Sequence, residues 1–62
     1  MSNLIVYAGA VEIQGTASLV LACAIAREQA AAHPGVEHRV MRDRVLEAKY
    51  TLVGKTMKAW VR

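Results

Sequence analysis

Phenylalanine is absent from this chain of 62 residues; cysteine, proline and tryptophan occur once each, and no two Lys or Arg residues are adjacent. The lone cysteine, Cys23, excludes an internal disulfide and fits a reducing compartment, so the cytoplasm is the expected location. Cys23, His33 and His38 together are too few, and too irregularly spaced, for a zinc site, and no metal or other cofactor is expected. Without Phe, one of the two C-terminal aromatics, Tyr50 or Trp60, must close the core, and Trp60 is the first candidate. The low-charge run of residues 17–26 is too short for a bilayer, which needs about 20 apolar residues, so no membrane partner is expected. Met1-Ser-Asn offers no basic region of the kind that opens a secretory leader.

What is present bounds the molecule further. A chain of this length makes one domain, residues 1–62, and buries only about 60% of its unfolded surface, so a partner or a second copy would help it. The net charge of +3 is uneven. Residues 1–35 carry Arg27 against Glu12 and Glu28, whereas residues 36–62 carry seven basic residues against Glu37, Asp43 and Glu47. A basic C-terminal half permits nucleic acid, an acidic protein surface, or simple solubility.

Residues 16–35 insist on a helix. Thr16 or Ser18 can cap its start, Ala and Leu favour its interior, and Pro34-Gly35 stops it near Ala32, because His33 precedes proline. At 100° per residue, Leu21, Ala22, Ile25, Ala26, Gln29 and Ala32 form the expected core face, with Leu19 at its margin. The opposite face offers Val20, Cys23, Ala24, Arg27, Ala30 and Ala31, and so is apolar around a single charge. Small residues there would let two helices approach closely, which makes a two-fold homodimer through Val20, Cys23, Ala24, Arg27 and Ala31 the favoured assembly.

Residues 4–13 are β-branched and aromatic and read as one strand covered on both sides, with Gly9 marking a bulge or a close approach. Residues 36–41 alternate as a second strand. After the polar break Arg42-Asp43-Arg44, a third begins at Val45, with Leu46, Ala48, Tyr50 and Leu52 on one side and Glu47, Lys49 and Thr51 on the other. Residues 53–56 form a hairpin turn and residues 57–62 a fourth strand. A competing reading makes residues 39–49 a helix, since no breaker interrupts them. The expected fold is α+β: one helix on an antiparallel sheet of about four strands, in the order β-α-β-β-β, with the first strand central.

No catalytic set emerges. Gly54-Lys55-Thr56 resembles the end of a phosphate-binding loop, but position 49 is Lys where that loop needs glycine, and the segment after it is strand-like. Cys23 and His33 would lie about 15 Å apart along a helix, beyond hydrogen-bond reach. His38, spaced with Val36 and Val40, reads as a half-buried strand residue, and the acidic residues are scattered. What remains is a surface: Arg39, Arg42, Arg44, Lys49, Lys55, Lys58 and Arg62 with Trp60 and Tyr50 nearby. Strand parity puts Lys58, Trp60 and Arg62 on one face, where phosphate contacts and stacking could hold nucleic acid.

Ala17-Ser18-Leu19, Ala22, Ile25-Ala26, Glu28-Gln29, Gly35, Val40-Met41-Arg42, Gly54-Lys55 and Trp60-Val61 resemble the helix, second strand and closing hairpin of a small phage-encoded anti-CRISPR protein directed at a type I surveillance complex. The resemblance covers residues 16–62, and phage RNA polymerase inhibitors share the helix-Gly-strand pattern. It implies a non-enzymatic inhibitor in the host cytoplasm that docks on a Cas subunit of a type I Cascade and hinders target DNA binding. The chain departs from it in a shorter N-terminal strand region and a more apolar helix. Partner contacts are expected from the basic and aromatic residues just named; a directly nucleic-acid-binding module is the alternative, followed by an inhibitor of another host machine such as RNA polymerase.

Overall fold

Gly9, at φ +60°, divides the first apolar run in two. The computed structural model, which describes residues 3–62, has β1 at Leu4–Ala8 and β2 at Val11–Thr16, an antiparallel hairpin turned through Gly9 and Ala10. The left-handed conformation that closes this turn carries no Cβ penalty at glycine. The single strand expected over residues 4–13 is therefore a hairpin, and the sheet has five strands. Helix α1 follows at Leu19–Ala32, then β3 at His38–Arg42, β4 at Val45–Val53 and β5 at Thr56–Val61.

Strand order across the sheet is β2-β1-β3-β4-β5, all neighbours antiparallel. Both β2 and β3 run opposite to β1, so they run the same way, and α1 is the crossover that carries the chain over β1. Residues 39–49 are strand and turn, not helix. Asp43 takes φ +55° between β3 and β4, a conformation that Asp tolerates better than most side chains, and Gly54 takes φ +61° between β4 and β5.

Ser18 caps α1, its hydroxyl accepting from the Leu21 N–H at 3.2 Å. At the other end the His33 N–H donates to the Gln29 carbonyl at 3.0 Å, and the Gly35 N–H to the Leu52 carbonyl at 2.8 Å, which ties the post-helix loop to β4. The face that α1 buries is rotated from the expected one. Ala22, Ala26 and Ala30 are fully buried, Cys23 and Ile25 pack against the core from its margin, and Leu21 and Ala32 are exposed. Spacing of four residues sets three alanines in a line along the helix. With nothing larger than a methyl there, the helix backbone lies close to the sheet, and the sheet supplies the bulk through Leu4, Val6, Val40 and Tyr50. Cys23 and Ala30 thus leave the outer stripe, which retains Val20, Ala24, Arg27 and Ala31 together with Leu21.

The core aromatic is Tyr50, 8% exposed, while Trp60, 43% exposed, lies outside the core. His38 is wholly buried rather than half-buried. Its Nδ1 is 2.8 Å from the Val36 carbonyl, its ring stacks on His33 at 6.4 Å, and its Nε2 has no hydrogen-bond partner among the described residues.

Two bulges reset the strand faces. Val6 pairs with Gln14 but Tyr7 with Glu12, leaving Ile13 over; Val40 pairs with Ala48 but Met41 with Leu46, leaving Glu47 over. Leu46 consequently shares the face of Met41, away from α1, and not the face of Ala48 and Tyr50 as unbroken alternation would have it.

Candidate functional site

Register fixes what the sheet presents on the side away from the helix. Val6, Val40, Ala48 and Tyr50 point to α1, so the residues between them point away. Tyr7 stands opposite Arg39, Arg39 opposite Lys49, and Lys49 opposite Trp60. Glu12 stands opposite Tyr7 at the far edge. These five side chains form one transverse row across all five strands, an aromatic on either side of two cations. Three strand spacings separate Tyr7 from Trp60, roughly 14 Å. Thr51 and Lys58 make a second row beside the first, with Glu37 one step beyond the His38–Tyr50 pair and therefore next to Thr51. Ile5, Met41 and Leu46 make a third, apolar row on the other side.

Between the first two rows lies an open depression of about 310 Å³, lined by Glu37, Lys49, Thr51, Val53, Lys58 and Trp60. Arg39 frames it. Its guanidinium sits 5.6 Å from the Tyr7 ring centroid, Nη2 donates to the Gly9 carbonyl at 2.7 Å, and Nε approaches the Glu37 carboxylate at 3.9 Å. The first two contacts hold the guanidinium in place. The third is at the limit of an ion pair between side chains 35% and 51% exposed, and such pairs contribute little.

Of the residues expected to bind a partner, the structure gathers Arg39, Lys49, Lys58 and Trp60. Arg42 pairs with the core residue Leu4 and belongs to the helix side of the sheet. Arg44 and Lys55 occupy turns at opposite ends of the nine-residue β4. Arg62 closes the C-terminus: its N–H donates to the Glu47 carbonyl at 2.9 Å and its Nη1 meets the Glu47 carboxylate at 3.6 Å. Tyr7 and Glu37 join the site although neither was picked out from the sequence. The signal for Tyr7 was Gly9, since reading it as a turn converts residues 4–13 into a hairpin and gives Tyr7 a definite side.

Elsewhere the chemistry is sparse. Tyr50 titrates above the ordinary tyrosine range because it is buried and because Cys23 hydrogen-bonds to it and adds unfavourable charge; Arg27, one turn beyond Cys23, pulls the other way. A second depression, about 350 Å³, lies on the helix side among Ala8, Val11, Ile13, Gln29, His33 and Val36. Among the described residues, no group of three His, Cys, Asp or Glu gathers to hold a metal ion, and no helix is long and apolar enough to cross a membrane. Comparison with known protein families, characterised proteins and solved structures finds no match for this chain.

Proposed function

We propose that this chain is a non-enzymatic binding protein that holds single-stranded nucleic acid across the open face of its sheet. The observation that carries the reading is the transverse row Tyr7–Arg39–Lys49–Trp60, with Lys58 beside it. Half-exposed Trp60 offers a flat surface on which a base of any kind can stack, a contact worth about 1–3 kcal/mol per base. Lys49, across the strand pair, and Lys58, two residues back on the same strand, flank it and supply charge for the phosphates. Arg39, its guanidinium 5.6 Å from the Tyr7 ring centroid, adds a third cation for the phosphates. A reducing compartment such as the cytoplasm suits the lone Cys23.

The test is a titration of a labelled single strand followed by fluorescence anisotropy at increasing salt. With about three phosphate contacts, log K should fall against log salt with a slope of roughly −2. Lys49→Glu and Lys58→Glu should each weaken binding more than Arg42→Glu, which alters the other side of the sheet. Affinity that is flat with salt, or equal losses from all three variants, would overturn the assignment.

A second reading keeps the anti-CRISPR expectation, in which the chain docks on a Cas subunit of a type I Cascade. One observation favours it: Val20 is 82% and Leu21 48% exposed on the helix, an apolar surface that a protein partner would cover and a nucleic acid would not. Under that reading a purified Cascade binds the protein, and Val20→Lys weakens the complex more than Lys49→Glu does.

A further inference from the structure

Glu37 is out of place on a surface that only grips phosphates. A carboxylate repels the nucleic-acid backbone, yet this one borders the same depression as Lys49, Lys58 and Trp60. Neutralising a cation is the ordinary explanation for such a residue. Here it accounts for little, because the nearest guanidinium, that of Arg39, is 3.9 Å away and already donates to the Gly9 carbonyl, 5.6 Å from the Tyr7 ring centroid. The Glu37 carboxylate therefore keeps acceptor capacity at the border of the depression.

Resting on the nucleic-acid reading, the geometry points to a guanine-selective pocket: a guanine stacked on Trp60, its Watson–Crick edge directed at Glu37. The match lies in the order of donors and acceptors. Guanine carries two adjacent donors, N1–H and the N2 amino group, which one carboxylate accepts together, and beside them the O6 acceptor, which an ammonium from Lys49 or Lys58 can meet. Adenine and cytosine each offer one amino donor next to a ring nitrogen acceptor that the carboxylate would repel. Uracil and thymine offer one N–H between two carbonyls. Only guanine presents donor, donor and acceptor to a carboxylate flanked by ammonium groups. Thr51 lies between Glu37 and Lys58 and adds a hydroxyl on the floor of the pocket.

The chain has a single tryptophan, so quenching of its fluorescence reports stacking at this pocket alone. The probes are short oligothymidylates carrying one central guanine, hypoxanthine, adenine or cytosine. Guanine should bind tighter than adenine or cytosine by about tenfold, the size of one good bidentate contact, with hypoxanthine weakened by loss of the N2 amino group. Glu37→Gln should abolish the preference while all four probes still quench Trp60. Because that change also removes a negative charge, the ratio between probes is the readout, and Glu12→Gln, at the far edge of the sheet, should leave the ratio as it was. Equal affinities for all four probes in the unaltered protein, or a guanine preference that survives Glu37→Gln, would overturn the pocket while leaving the nucleic-acid reading standing. No quenching by any probe would overturn both.

Discussion

Arg39 on β3 holds its guanidinium 5.6 Å from the ring centroid of Tyr7, its direct neighbour on β1, and reaches past it to the carbonyl of Gly9 at 2.7 Å. This side chain therefore adds to the backbone pairing of β1 with β3 and orients the middle of the proposed binding row. Lysine in its place would keep the charge but lose the forked guanidinium that serves the Tyr7 ring and the Gly9 carbonyl together. Arg39→Lys should lower stability by about 1 kcal/mol, a modest value because the side chain is a third exposed, and melting should fall by roughly 4–8 °C in a domain of this size. The salt slope of nucleic-acid binding should stay the same. An unchanged melting temperature would mean that the guanidinium is not held as described.

The alanine line of α1 makes a sharper test of packing. Ala26 is fully buried and Ala24 exposed, two positions apart on one helix. Ala26→Leu should cost about 1–3 kcal/mol by forcing the helix away from the sheet, whereas Ala24→Leu should stay within about 0.5 kcal/mol of the parent. Chemical denaturation distinguishes them directly, and equal effects would show that the helix is rotated from the position described.

Tyr50 gives the molecule a stability limit at high pH. Its folded pKa is raised, chiefly by burial and then by Cys23. In the interval between the unfolded and folded values the native state binds more protons, so stability falls as pH rises. The contribution is complete below about pH 10, the ordinary tyrosine value, and is lost as pH climbs through the folded pKa. Tyr50→Phe should flatten this part of the curve, measured as the denaturant midpoint across alkaline pH. A parent and variant that decline in parallel would remove Tyr50 as the cause.

Val20 bears on assembly. If a second copy covers the stripe of Val20, Ala24 and Ala31, light scattering of the parent should give twice the chain mass of 6.8 kDa, and Val20→Lys should return it to 6.8 kDa. Cys23 lies at the margin of the core, packed against Tyr50, so oxidative crosslinking through it is not expected to accompany the dimer. A parent that stays at the single-chain mass at high concentration would dismiss the homodimer.

Elements whose signals are local can be read along the chain. Ser18, the alanine-rich run and Pro34-Gly35 delimit a helix at Leu19–Ala32, and alternation after Gly35 marks β3, β4 and β5. Lys58 and Trp60 can likewise be read onto one side of the last strand, because successive side chains of an extended backbone point to opposite faces. The remainder depends on how the elements pack. Which stripe of a helix apolar on all sides goes inward depends on what the sheet offers, and Leu4, Val6, Val40 and Tyr50 leave room only for the alanines at 22, 26 and 30. The side on which Leu46 falls depends on the bulge at Glu47, a product of pairing with β3. Tyr50 fills the core in place of Trp60 because Tyr50 shares its face of β4 with Ala48 beneath α1, whereas Trp60 pairs with Lys49 on the other face. Tyr7, Arg39, Lys49 and Trp60 are scattered over more than fifty positions, and only the register of four strands sets them in one row, since hydrogen bonding between strands, unlike alternation within one, is not encoded in any local stretch of the chain.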